Sequence, residues 1–247
     1  ADAGDWRSRL SGAVQAYLEW MPIREPGEDL TIYRHFRFGQ LLDLMMLDTR
    51  LAGRDAQAET LEERNLDSRT LLGFEQEGWL AERLTAAAQD GMIWKLCGQQ
   101  VMLAQLGTNA VPFNYDQWDG YPAARQRLFE SVRQSGLNNW VVLTGDIHSS
   151  WAFELYEDPF AEDIGMPLGV ELVTPAVTSA GIESYTRATL ASSSLESLSP
   201  HLNFVDFYFR GYVLLDITPQ RLQAQWWVVD NIESHHYSSE CLRALEV

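Results

Sequence analysis

Only two of the 247 residues are cysteines, Cys97 and Cys241. Two such residues build neither a disulfide framework nor a cysteine-rich zinc site. One long-range disulfide and two free thiols both remain compatible with them. Lysine is scarcer still. Lys95 is the only one, and every other basic residue is an arginine. No apolar stretch reaches about 18 residues, so no membrane span is expected. Positive charge is short overall: eighteen basic residues face thirty-five acidic ones, for a net charge of −17 and a pI near 4.6. Such a surface repels nucleic acid and anionic membranes at long range. An anionic substrate would then need a local source of positive charge, and bound metal cations are the obvious candidates.

Several motifs are missing as well. No Gly-x-Ser-x-Gly is present, which removes the nucleophile elbow of a serine hydrolase. Ser149 and Ser150 directly follow His148, a poor geometry for a triad. Neither a Walker-type phosphate loop nor a dinucleotide fingerprint occurs. The segment Ala1-Asp2-Ala3-Gly4-Asp5 has no basic region and no apolar core, so no signal peptide is expected within it, although an exported precursor could have lost one.

What is there is a chain 46% hydrophobic and 11% aromatic, enough for a sizeable core. Asp5 reads as an N-cap, followed by Trp6, Leu10, Val14, Tyr17, Leu18 and Met21 at helical spacing until Pro22. Tyr33, His35 and Arg37 alternate. Leu41 to Leu47 is a nearly unbroken apolar run, which suits a strand buried on both faces. Residues 51–70 read as a surface loop and Glu75 to Ala88 as a helix. "MIWKLCGQQVML" reads as one or two short strands, "GTNAVPFNYDQWDGYP" as a long loop, and Ala123 to Gln134 as a helix with Gly136 just past its end. Strands follow at Trp140 to Thr144, at Trp151 to Tyr156 and in "GVELVTPAV". Residues 183–200 read as loop with some helix. "GYVLLDITPQRLQAQWWVVD" is a hairpin about Thr218-Pro219-Gln220. The expected fold class is α/β, or an α+β sandwich, over one domain, residues 1–247.

The chemistry concentrates in "VVLTGDIHSSWAFEL", Val141 to Leu155. A buried strand ends on Gly-Asp-Ile-His, and in open α/β sheets ligand groups gather at the carboxyl ends of strands. If extended geometry persists, Asp146 and His148 share one face. A carboxylate and an imidazole are ordinary ligands of a catalytic metal. The alternative is an Asp N-cap beside a hydrogen-bonded surface histidine. Asp48 and Arg50 end the other apolar strand, either orienting a phosphate or acidic ligand through Arg50 or closing the strand with a salt bridge. In "NYDQWDGYP", Tyr115, Trp118 and Tyr121 stand among Asp116 and Asp119. That composition suits a pocket wall, and equally an aromatic-pinned loop in which Asp119 caps the next helix. His201 reads as an ordinary partly buried histidine, His235 and His236 as a solvated pair, and His35 as a core or edge residue.

These segments, in order, resemble a known family. "DWRSRLSGAVQAYLEWMPIR", "LLDLMMLDTR", "TLLGFEQEGWLAERL", "WKLCGQQVML", "WDGYPAARQRL", "VVLTGDIHSSWAFEL", "VELVTPAVTS" and "RGYVLLDITPQRLQAQWW" are similar to successive elements of the PhoD-like metallophosphatases. The resemblance covers nearly the whole chain. It implies a calcineurin-like metallophosphoesterase β-sandwich flanked by helices. It also implies hydrolysis of phosphate monoesters at alkaline pH by metal-activated water, with Ca2+ and Fe3+ as the cofactors. Asp146 and His148 are then metal-site residues, His148 is catalytic, and Arg50, Trp118 and Asp119 line the substrate pocket or back it. A phosphodiesterase or phospholipase-type hydrolase on the same fold is the neighbouring alternative. The family is often exported, so a periplasmic or extracellular location is expected.

One departure matters. The family's earlier half carries a Gly-Asp-x-x-Tyr-type and a Trp-Asp-Asp-His-Glu-type segment, which supply most of its metal ligands. Neither occurs between Ala1 and Val247. The expectation is therefore a domain truncated on its N-terminal side, with the missing half as its partner. A non-catalytic fragment is the alternative from another class.

Overall fold

The computed structural model describes residues 5–24, 31–106 and 111–247. The expected loop at "GTNAVPFNYDQWDGYP" lies partly outside them. The chain divides into two units, residues 1–32 and 33–247. In the first, helix α1 (Trp6–Trp20) starts at Asp5, whose carboxylate accepts the Ser8 N–H at 2.9 Å. That is the expected N-cap. Pro22, which has no N–H to donate, follows the last turn.

In the second unit, β1 (Arg34–Phe38) and β2 (Leu42–Met46) form an antiparallel pair. Then come the short helix α2 (Leu61–Arg64), helix α3 (Phe74–Gln89) and β3 (Trp94–Gly98). Helix α4 (Pro122–Ser135) ends at Gly136, which takes a left-handed φ of 64°. β4 (Trp140–Thr144), β5 (Ser150–Leu155), β6 (Gly169–Val173), α5 (Tyr185–Leu198) and β7 (Leu202–Asp206) follow. Last are β8 (Arg210–Ile217), β9 (Leu222–Val229) and β10 (Ser239–Glu246).

Seven strands form one sheet in the order β1-β2-β3-β4-β6-β5-β7. β2, β3, β4 and β6 run parallel, and β5 is antiparallel to both β6 and β7. β10, β9 and β8 form a separate antiparallel sheet. The strands of the large sheet bury side chains on both faces. Met45, Cys97, Val142 and Phe153 pack with Leu80 and Leu84 of α3 and Phe129 and Val132 of α4. Leu96, Val141, Ala152 and Leu172 pack instead with Leu222, Ala224 and Trp226 of β9. Two indole N–H groups tie the sheets together, Trp226 to the Val173 carbonyl at 3.0 Å and Trp94 to the Thr218 carbonyl at 2.7 Å. Each fully buried large apolar side chain contributes roughly 1.5–3 kcal/mol. The outer face of the small sheet exposes Tyr212 and Leu214.

Several local expectations change. Residues 51–70 are not wholly a surface loop: they hold α2 and bury Ala58, Arg64, Arg69 and Thr70. Residues 183–200 are mainly helix, because Ser184 caps α5 by accepting the Arg187 N–H. β7 and β10 have no clear apolar alternation and exist through pairing with β5 and β9. "MIWKLCGQQVML" yields one strand. The residues after it, Val101, Met102 and Leu103, run irregularly through the core. Both cysteines are free thiols, Cys97 buried and Cys241 exposed. Burial pushes the Cys97 thiol up to about 12, so it stays protonated.

Candidate active site

The carboxyl ends of β2, β3, β4 and β6 open onto one edge of the sheet, and the turns that follow carry the candidate residues. After β2, Asp48 is buried and folds the chain back. Its Oδ1 accepts the N–H groups of Arg50 and Leu51 at 2.9 Å, and its Oδ2 accepts that of Ala52 at 3.2 Å. Gln76 of α3 fixes the same residue from below, accepting the Asp48 N–H and donating to its carbonyl, both at 2.8 Å. The loop then crosses the start of α3 at two glycines. A Cβ added to Gly53 would stand 2.7 Å from the Gly73 Cα. Both glycines have positive φ, 71° and 74°, so a side chain there would also strain the backbone.

This turn presents Arg50. Its Nη1 reaches Asp116 Oδ2 at 2.8 Å and its Nη2 reaches Asp146 Oδ1 at 3.2 Å. Arg54 grips the other oxygen of Asp116 at 2.6 Å. Burial pushes the Asp116 carboxyl up, but the hydrogen bonds and charges of Arg50 and Arg54 outweigh it and hold the carboxyl below its usual value. Burial also works against the charged Arg50, and the two carboxylates outweigh it, holding the guanidinium above its ordinary value.

After β4 the chain does not stay extended, so the condition for Asp146 and His148 to share one strand face is not met. Asp146 and His148 both take left-handed backbone conformations, φ 69° and 58°. Such angles are uncommon outside glycine and cluster at functional sites. Ile147 packs against the core between them, and its N–H closes on the Gly145 carbonyl at 2.9 Å. Asp146 and His148 are therefore thrown outward. His148 Nδ1 lies 3.0 Å from the Ala180 carbonyl. A carbonyl only accepts, so Nδ1 carries a proton, and in the neutral ring Nε2 then keeps a lone pair. This arrangement is usual for a metal-ligating histidine. Ser149 is occupied otherwise: its hydroxyl donates to the Ile147 carbonyl and accepts the Trp151 indole N–H.

Beneath the turn lies Glu171 of β6, with no exposed surface. Its carboxylate accepts the N–H groups of Leu103 and Ala104 and the hydroxyl of Thr144, at 2.8, 2.7 and 2.6 Å. Burial pushes its pKa up, against the hydrogen bonds that lower it. The residue anchors both the irregular core segment and the last residue of β4.

Arg50, Asp146 and His148 thus reach the expected edge. Trp118 and Asp119 do not. Trp118 is 0% exposed and donates its indole N–H to Gln99. Asp119 is paired with buried Arg125 at 3.0 Å. They underlie the wall rather than line it, because the short 3-10 turn Trp118–Gly120 points them inward. Asp116, two residues earlier, is the partly exposed one, and Arg54, whose side chain is 10% accessible, holds it from the protein side. Arg54 carried no signal in the sequence. His201 is 1% exposed, more deeply buried than expected, while His235 and His236 are exposed as expected.

As donors, an exposed carboxylate and an imidazole lone pair fit a divalent or trivalent cation. Among the described residues, no group of three or more His, Cys, Asp or Glu could hold one. Asp146 and His148 do not by themselves complete a coordination shell. Among the described residues, too, no helix is long and apolar enough to cross a membrane.

Comparison with known proteins agrees with the layering. The solved structure described as that of PhoD superposes with a TM-score of 0.83 at 35% identity, covering 96% of this chain and 47% of that one. A purple acid phosphatase from yellow lupin (Lupinus luteus) seeds gives 0.52 at 12% identity, covering 94% of this chain and 35% of that one. The latter bears on the fold alone. Alkaline phosphatase D of Bacillus subtilis (strain 168) is 38% identical over 233 residues, which are 90% of this chain and 39% of that protein. The PhoD-like phosphatase family matches residues 1–226. Mixed sheet, second sheet and flanking helices define an α/β fold of the calcineurin-like type. Within that class, the chain belongs to the PhoD-like phosphatase family. It spans less than half the length of each of these relatives.

Proposed function

We propose that this chain is the later part of a metal-dependent phosphoric ester hydrolase acting on phosphate monoesters. In that reading Asp146 and His148 are two of its metal ligands. The observation that carries it is the pair of left-handed residues at the end of β4, one of them a histidine whose Nδ1–H is tied to the Ala180 carbonyl. Backbone strain of about 1–3 kcal/mol per residue is kept where it serves a site.

Asp146 offers a carboxylate oxygen and His148 its Nε2 lone pair. A bound cation, Ca2+ or Fe3+ by family resemblance, supplies Lewis acidity toward the phosphoryl oxygens and charge neutralisation as the ester is cleaved. Arg50 orients the phosphate. Its Nη1 remains anchored on Asp116 when Nη2 leaves Asp146, so the guanidinium fork can turn toward an anion without losing its place. The remaining ligands come from the part of the protein that the relatives have and this chain does not span. That also accounts for how a molecule of charge −17 can take an anionic substrate.

The test is metal content by elemental analysis beside hydrolysis of a chromogenic phosphate monoester at alkaline pH. It is run on this chain, on the longer protein containing it, and on Asp146→Asn and His148→Ala variants of the longer protein. The longer protein is expected to hold metal and turn over. Each variant is expected to lose more than about 100-fold, since even an outer partner of a ligand is worth about 10–100-fold. Full activity in both variants overturns the assignment.

A further inference from the structure

We infer that Arg210 is a positioning residue that fixes the tautomer of His148 from the second sheet. Arg210 opens β8 and is 9% exposed. Its Nε donates to the Ser179 carbonyl at 2.7 Å and its Nη1 to the Tyr208 carbonyl at 2.6 Å. Its Nη2 lies against Gly181, where an added Cβ would come within 2.4 Å of it. The guanidinium therefore touches both neighbours of Ala180, whose carbonyl accepts the His148 Nδ1–H at 3.0 Å.

Among the described residues, the backbone of 177–183 makes hydrogen bonds only at Ser179 and Ala180. Ala176, just before, is held by the Gly211 N–H at 3.0 Å. The loop after β6 is thus pinned from β8 at two points, and the Ala180 carbonyl faces His148 because Arg210 holds the residues beside it. A planar fork with donors on two edges can do this, whereas a lysine ammonium of similar reach grips one carbonyl at a time. Arg210 touches neither the substrate edge nor His148. Its effect runs through the carbonyl, and with it goes the lone pair that Nε2 presents. The inference deepens the proposed metal-ligand role of His148 and rests on it for its catalytic meaning, but the link between Arg210 and the tautomer can be read without metal.

Long-range 1H–15N correlation of the imidazoles in this chain tests it. The measurement is made at pH about 9, well above the ordinary imidazole pKa of about 6.5. Wild-type His148 is expected as the Nδ1–H tautomer. In Arg210→Gln and in Gly181→Ala, which disturbs the same contact from the other side, it is expected to shift to a mixture with Nε2–H. Arg210→Lys should restore it only in part. Where Arg210→Gln does not fold by circular dichroism, Gly181→Ala carries the test. A His148 that stays Nδ1–H in the folded variants, or that is not Nδ1–H in wild type, overturns the inference whatever His148 does with metal. If the tautomer shifts while His148→Ala leaves the metal content of the longer protein unchanged, the ligand reading fails and the role of Arg210 stands.

Discussion

Arg50 and Asp146, 96 residues apart in the chain, meet at 3.2 Å across the carboxyl edge of the sheet. The contact joins the turn after β2 to the turn after β4, with β3 between them. It is a partly exposed pair, with side chains 38% and 41% accessible, so water and salt screen it. A cation arriving at Asp146 would displace a weak partner.

A double-mutant cycle over Arg50→Ala and Asp146→Ala is expected to give a coupling of about 0.2–1 kcal/mol. It should fade near 1 M salt, where the screening length falls to about 3 Å. Urea unfolding of the four proteins measures it. A coupling of several kcal/mol would mean that the pair is a structural clamp and not a displaceable one.

Asp119 and Arg125 should behave in the opposite way. Both are buried, and burial pushes the Arg125 guanidinium below its ordinary value while the Asp119 charge opposes that shift. Removing one partner strands the other charge. Arg125→Met is expected to cost about 3–5 kcal/mol of unfolding free energy, read from denaturant midpoints. A cost under about 1 kcal/mol would return Asp119 to the pocket wall.

His201 gives a pH dependence. Burial chiefly, with the nearby Arg125 charge, holds its imidazole below the ordinary 6.5, while its hydrogen bond to the Gln105 carbonyl pulls the other way. The unfolded chain therefore takes up a proton before the folded one does. Stability is complete above about pH 6.5 and is lost as the pH falls below it toward the depressed folded value. His201→Gln, which can keep a donor toward Gln105, should remove that part of the slope in melting temperature between about pH 7 and pH 5. An unchanged slope would assign the acid sensitivity to other groups.

How much of this was legible beforehand depended on the range of the cause. The hairpin at Thr218, the N-cap at Asp5 and the stop at Gly136 are set by neighbours in sequence, and they form as read. The position of Arg50, Asp146 and His148 at the carboxyl edge was legible because polar groups follow the apolar strands within a few residues. Whether Trp118 and Asp119 line the wall or back it was not legible, because a loop rich in aromatics and acids has the same composition whether it faces in or out. The direction was decided by Arg125, Arg64 and Gln99, which meet it from other elements. The left-handed turn at Asp146 left no trace either, since glycine, its usual mark, stands one residue earlier at Gly145. β10 was hidden because its exposed edge residues need no apolar pattern.

The order β4-β6-β5-β7 has a consequence for the growing chain. Synthesis runs from β4 to β5 to β6, yet β6 lies between the other two. As "SWAFEL" leaves the ribosome, neither strand that will flank it has been made, and the free edge of β4 waits for a later arrival. Nearly every side chain of β5 ends buried. For that interval it is an apolar strand with an open edge, the form most prone to wrong pairing. Completion of β6 ends the exposure on one side and β7 on the other. The biogenesis of this protein is therefore open to wrong pairing at β5 while residues 150–206 are being made.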